Sequence, residues 1–295
     1  MAFELLNQRE TTPTRVHAML RLLARRPGLT REQIDDLVRP GVLPVGGRNE
    51  ANEVLRNTVQ LGLASTGEGE SSGYQLAVAQ EHIEDLDAYR NTISRIALGV
   101  TDSSADHYAF NLFTAWYAVI DDEVLRRTVT DLVIDFNERV FPTAEISQMN
   151  DERLTSWRAW AAFLGFGWMV PRGAGRTMVP DCTGRVSGLV ERRLAGEDGL
   201  IPFRAMWEHI AAACPELDGG VLFERARQTG RGGHDRGQTV SLMLSTALRS
   251  MHDGGRCRLH RLADATDTWT LFPASGQVFQ AVTHISRGTG DAGVE

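Results

Sequence analysis

The chain has 295 residues, 42% of them hydrophobic and 23% charged, and carries a net charge of −7. That composition is globular, leaves room for two or three domains, and excludes both a disordered chain and a protein that coats DNA indiscriminately. No apolar run approaches the roughly 18 residues of a membrane span, and the opening residues MAFELLNQRE lack a signal-peptide pattern, so no membrane contact and a cytoplasmic location are expected.

Residues 13–26 form an amphipathic pattern that buries Val16, Met19, Leu20, Leu22 and Leu23, and Pro27-Gly28 closes it. Thr30 and Gln33 have capping-box spacing ahead of a short second helix whose buried side is Ile34, Leu37 and Val38. A turn over 39–47 ends it. A third helix over 49–61 turns Ala51, Val54, Leu55, Thr58 and Val59 inward, and 66–73 is the tip of a hairpin returning through Tyr74 to Val78.

From residue 80 to 168 the chain reads as helical throughout. Ser103 or Ser104 can cap a helix over 105–120, a second follows over 123–141, and a third, aromatic-rich helix covers 151–168. The aromatic stripes, among them Phe110, Phe113, Trp116, Trp157, Trp160 and Trp168, read as core. Residues 79–160 carry seven arginines against fifteen acids, whereas the segments on either side are close to neutral, so this stretch is a separate acidic module. Residues 170–180 read as a linker. Helices follow over 182–194 and 203–213, with a short strand at 200–202 between them. A glycine-rich basic loop spans 230–237, a further helix 238–252, and strands over 256–260 and 268–272 are expected to pair as a second hairpin. Residues 288–295 read as a disordered tail.

A helix running into a polar hairpin therefore occurs twice, and the copies align at an offset of 193 positions, with Leu55-Arg56 on Leu248-Arg249 and Gly62 on Gly255. This is the layout of a winged helix-turn-helix. The expected fold is mainly α with small β wings. Two winged helix-turn-helix modules, over 1–78 and 171–287, flank an acidic helical domain over 79–170.

Arg48, Asn52, Arg56 and Gln60 lie four residues apart on one stripe of the third helix, and these residue types bond guanine, adenine and phosphate. Glu50 and Glu53 lie beside the stripe and oppose phosphate. The second copy offers Gln238, Ser241, Ser245 and Arg249 on its helix, Arg231 and Arg236 before it, and Arg256, Arg258 and Arg261 on its wing. Wing arginines commonly straddle the backbone, so the more basic second copy is slightly favoured as the nucleic-acid contact. All 31 basic residues are arginine, a bias that a GC-rich genome explains and that leaves DNA contact open.

Catalytic patterns are weak. His234-Asp235 lacks further metal ligands at suitable spacing, and residues 172–177 lack the glycine spacing and lysine of a phosphate loop. Cys182, Cys214 and Cys257 have no metal or disulfide spacing and read as buried thiols. No enzyme activity, metal or cofactor is expected.

The modular layout, the segment RLHRLADATDTWTL at 258–271, Thr283-His284-Ile285-Ser286 and Pro215-Glu216-Leu217-Asp218-Gly219-Gly220 together resemble DpdG. That family comprises accessory proteins of bacterial gene clusters that insert 7-deazaguanine derivatives into DNA and restrict unmodified DNA. The resemblance implies a role in phage defence beside helicase and nuclease partners, without supplying active-site residues. The expected function is a non-enzymatic DNA-binding or docking component of such a complex. Double-stranded DNA, defence proteins held through the acidic domain, and a second copy of the chain are its expected partners. The alternatives are a stand-alone winged-helix regulator and a protein–protein adaptor without DNA affinity.

Overall fold

The computed structural model describes residues 5–7, 10–38, 50–67, 73–140, 148–173, 175–229, 237–273 and 280–288. The turn at 39–47, the first hairpin tip, most of the loop at 230–237 and the tail lie wholly or partly outside these residues. Among the described residues there are eleven α-helices and nine short strands, all paired antiparallel in small sheets, and no helix is long and apolar enough to cross a membrane.

The N-terminal segment consists of α1 (Pro13–Arg25), α2 (Arg31–Val38), α3 (Glu50–Gln60), β1 (Ala64–Thr66) and β2 (Tyr74–Leu76). Thr30 caps α2 as its spacing predicts: its amide donates to Gln33 Oε1 at 2.9 Å and its hydroxyl accepts from the Gln33 amide at 3.3 Å. Of the three apolar residues expected inside α2 only Ile34 is buried, whereas Leu37 and Val38 are 45% and 47% exposed. Eight residues give α2 two turns, enough for one inward anchor against α3. Tyr74 bonds Leu29 on one side and β2 pairs β1 on the other, giving the order Leu29, β2, β1.

The middle segment holds α4 (Leu86–Ala97), α5 (Tyr108–Val119), a 3-10 turn (Asp121–Leu125), α6 (Val129–Arg139) and α7 (Asp151–Phe163). His107, not Ser103 or Ser104, stands at the N-terminus of α5, because Ser104 is turned back onto Asp102. The aromatic residues form the core as expected: Trp157 Nε1 donates to Thr114 Oγ1 at 3.0 Å, and Phe113 packs edge-on against Phe136 and Trp157. Trp168 is the exception at 45% exposure. The helical pattern fails there because Gly165 and Gly167 end α7. Residues read as helix end and linker instead form a hairpin of β3 (Gly167–Arg172) and β4 (Gly175–Pro180). Its prolines sit on strands with a single ladder neighbour, where a missing N–H is tolerated.

The C-terminal segment runs α8 (Thr183–Ala195), β5 (Ile201–Pro202), α9 (Phe203–Ala213), α10 (Val221–Thr229), α11 (Leu242–Asp253), β6 (Cys257–His260), β7 (Trp269–Thr270), β8 (Ala281–Val282) and β9 (His284–Arg287). The expected pairing of 256–260 with 268–272 is replaced: β6 pairs β9, and β7 pairs β8. Leu259 and Ile285 sit opposite each other on the buried face of β6 and β9, so this register closes the core under α8 and α11. With β5 on the other side of β9, the order is β5, β9, β6.

The two aligned segments match bond for bond at the helix end. The amides of Leu61, Gly62 and Leu63 donate to Asn57, Val59 and Thr58, and those of Gly254, Gly255 and Arg256 donate to Ser250, His252 and Met251. Gly62 and Gly255 have φ of +69° and +68°, a left-handed turn that a glycine makes without strain. In each, the next strand begins two residues later, and the residues leading into the second helix, Leu29 and β5, bond the strand that pairs with it, β2 and β9.

One hydrophobic core runs through all three segments. Trp160 Nε1 donates to the Thr11 carbonyl at 2.9 Å, and the His17 ring bonds the Ile83 carbonyl at 2.9 Å.

Candidate nucleic-acid interface

The amphipathic sequence of α3 commits Val54, Leu55 and Thr58 to the core, which leaves Arg56 and Gln60 exposed and Asn52 half-buried on the outer side. These three line one groove of about 490 Å³ together with Arg31, Thr66 and Tyr74. Arg31, at the start of α2, donates through Nε to Asn52 Oδ1 at 2.6 Å, which holds its guanidinium against α3. Among the described residues neither Arg31 nor Arg56 is in an ion pair. Of the two acids beside the stripe, Glu50 is paired with Arg15 at 3.2 Å, while Glu53 lines the groove. Arg48 lies outside the described residues.

Arg31, Thr66 and Tyr74 escaped the sequence reading because they come from other elements. The capping box at Thr30 was the available signal, since it fixes Arg31 as the first residue of the helix that crosses α3.

The second copy is placed differently. Ser241, Ser245 and Arg249, which align with Arg48, Asn52 and Arg56, are 0%, 0% and 5% exposed. Ser241 caps α11, and its amide and hydroxyl both bond Asp218 at 2.6 Å. Ser245 Oγ accepts the Phe272 amide at 2.8 Å and donates to the Val240 carbonyl at 3.3 Å. Burial lowers the pKa of Arg249, with Asp253 acting against it. These side chains hold α11 within the chain rather than presenting a surface.

Around them, Gln238 donates to Asp267, whose carboxylate also takes two bonds from Arg204 at 2.8 and 3.0 Å. Arg256 is paired with Glu191 at 2.5 Å, and Arg258 and Arg261 are exposed. Arg231 and Arg236 lie outside the described residues, as does His234-Asp235.

Among the described residues no group of three or more His, Cys, Asp or Glu is placed to hold a metal ion. All three cysteines are buried and free; burial pushes the Cys214 and Cys257 thiols up to about 12 and Cys182 well above its ordinary value, so none is a nucleophile near neutral pH.

The segment at 215–220 is a structural joint. Glu216 is fully buried and accepts from Arg185 Nε at 2.8 Å, Asp218 holds Ser241, and Gly219 leaves room for the Trp207 ring, which a Cβ would meet at 2.2 Å.

No curated protein and no solved structure matches the chain. The family model for DpdG-like proteins matches residues 3–265. Matched over most of its length, the chain belongs to the DpdG-like family.

Proposed function

We propose that the protein docks DNA for a 7-deazaguanine modification and restriction system, using its N-terminal segment as a winged helix. Family membership associates the chain with such a system. The observation that carries the docking role is the groove in which Arg31, Asn52, Arg56 and Gln60 converge beside the β1–β2 hairpin, with two exposed arginines that, among the described residues, are in no ion pair although Glu53 shares the groove. Arginine pairs with phosphate and guanine edges and Asn and Gln with adenine, so the lining suits a duplex groove.

In this reading residues 1–78 form the DNA-facing module. Residues 171–287 are read as a second winged helix, whose α11 serves the chain's own packing. The acidic stretch at 79–170, unsuited to a phosphate backbone, is offered to protein partners of the defence complex. The protein needs no catalytic centre for this task.

Salt-dependent binding of labelled duplex, compared between the wild type and Arg31→Ala/Arg56→Ala, tests the proposal. Loss of affinity in the double variant supports it, and equal affinity contradicts it. Leu37 and Val38, exposed together at the end of α2, favour an adaptor as the second reading. An adaptor would show no salt-dependent DNA affinity.

A further inference from the structure

The bond pattern that ends α3 and α11 occurs a third time. At the end of α7 the amides of Leu164, Gly165 and Phe166 donate to Trp160, Ala162 and Ala161, and Gly165 has φ of +86°. Every one of these residues lies 103 positions after its counterpart in α3, and so does the start of the strand, Gly167 after Ala64. The turn Asp121–Leu125, between α5 and α6, packs on β4, which is where Leu29 flanks β2 and β5 flanks β9. Residues 108–180 therefore repeat the succession of three helices and a hairpin inside the segment whose sequence looks helical and acidic.

The charge on this third hairpin is opposite to that of its surroundings. From Trp157 to Pro180 the sequence contains Arg158, Arg172 and Arg176 and no Asp or Glu. Arg172 and Arg176 are exposed on either side of the hairpin turn. Arg158 reaches across from α7, its Nη1 donating to the Arg176 carbonyl at 3.2 Å, while Arg172 Nη1 donates to the Arg127 carbonyl at 3.2 Å. Arg158 Nε is buried without a hydrogen-bond partner. Burial lowers the Arg158 pKa, Tyr117 acts against it, and the nearby Arg172 adds a smaller lowering. Among the described residues none of the three arginines is in an ion pair. Pro171 pairs with Arg176 and Arg172 with Gly175, so Arg172 and Arg176 project from opposite faces of the hairpin, and a phosphate on either face would meet a guanidinium that has no carboxylate partner among the described residues.

We propose that the β3–β4 hairpin is a second nucleic-acid contact, in which Arg158, Arg172 and Arg176 hold backbone phosphates without reading sequence. The choice of ligand rests on the DNA-docking reading above, whereas the site itself shares no residue with the N-terminal groove.

The test is fluorescence anisotropy of the full chain with short labelled duplexes of unrelated sequence across a salt series. It compares the wild type, Arg172→Ala/Arg176→Ala and Arg31→Ala/Arg56→Ala, with near-UV circular dichroism to verify folding. Both hairpin substitutions are at exposed positions. The expected result is a slope of log affinity against log salt reduced by about 1–2, roughly 0.9 per lost phosphate contact, and equal weakening on every sequence. Arg158→Gln, which removes the charge, is expected to reduce the slope as well. An unchanged slope in the hairpin variants beside weakened binding in the groove variant overturns this inference alone. A hairpin-dependent slope with a groove variant that binds like the wild type supports it and overturns the N-terminal reading. No binding by the wild type at low salt overturns both.

Discussion

The carboxylate of Asp121 accepts a hydrogen bond from the Leu242 amide at 2.8 Å, and it does so from a left-handed backbone with φ of +50°. That conformation costs a non-glycine residue roughly 1–2 kcal/mol. It aims an acceptor from the middle segment at the free N–H groups that open α11. Asp218 reaches the same turn from the other side through Ser241. The helix that aligns with α3 is thereby fixed at its N-terminus by two carboxylates of its own chain, and its polar positions are consumed in packing.

Replacing Asp121 with alanine removes the acceptor and keeps the unfavourable backbone. A loss of about 1–2 kcal/mol in unfolding free energy is expected, and less than about 1 kcal/mol for Asp121→Asn, which retains both an acceptor and tolerance of the left-handed region. Urea midpoints measure both. Equal losses in the two variants would mean that the contact does not act as a cap.

Ser245→Ala separates a packing role from a reading role. The substitution leaves the Phe272 amide without its acceptor inside the core, at a cost of about 1–3 kcal/mol, and should leave DNA affinity unchanged. A variant that keeps wild-type stability and loses DNA affinity would return α11 to the interface.

Local chemistry made part of this arrangement readable. The Thr30 and Gln33 spacing located the start of α2, the apolar periods located α1, α3 and α9, and the alignment of Gly62 with Gly255 marked two turns that share their backbone conformation. What escaped was set by distant contacts. Ser245 and Asn52 look alike as polar residues on a helix, and only the folding of 271–273 over α11 buries the first. The segments 268–272 and 284–287 are both short and alternating, so the choice of partner for β6 depended on which one completes the core beneath α8. The β3–β4 hairpin was hidden by its own composition, because Pro171, Gly173, Gly175 and Pro180 look like a linker when read one at a time. In the N-terminal groove, three of the six residues that matter came from elements other than α3.

His107 confers an acid sensitivity. It is 3% exposed with φ of +65°, and burial lowers its pKa to about 4, with Asp106 acting against the shift. The folded protein keeps the ring neutral while the unfolded chain takes up a proton below the ordinary value of 6.5. Stability should therefore fall as pH drops from 6.5 to 4, by roughly 3 kcal/mol in all, and this contribution should level off below that range. His107→Asn tolerates the same backbone without titrating. Its urea midpoint should decline less steeply over this interval than that of the wild type, and equal slopes would exclude His107 as the cause.

The groove of the N-terminal segment is proposed to meet DNA. Fluorescence anisotropy of a labelled duplex with the purified protein across a salt series tests it most directly, with Arg31→Ala and Arg56→Ala measured alongside. Binding should weaken steeply with salt, with a loss of about 1–3 kcal/mol for each substitution that removes a base or phosphate contact. A wild type that shows no affinity at low salt, or variants that bind as tightly as the wild type, would contradict it.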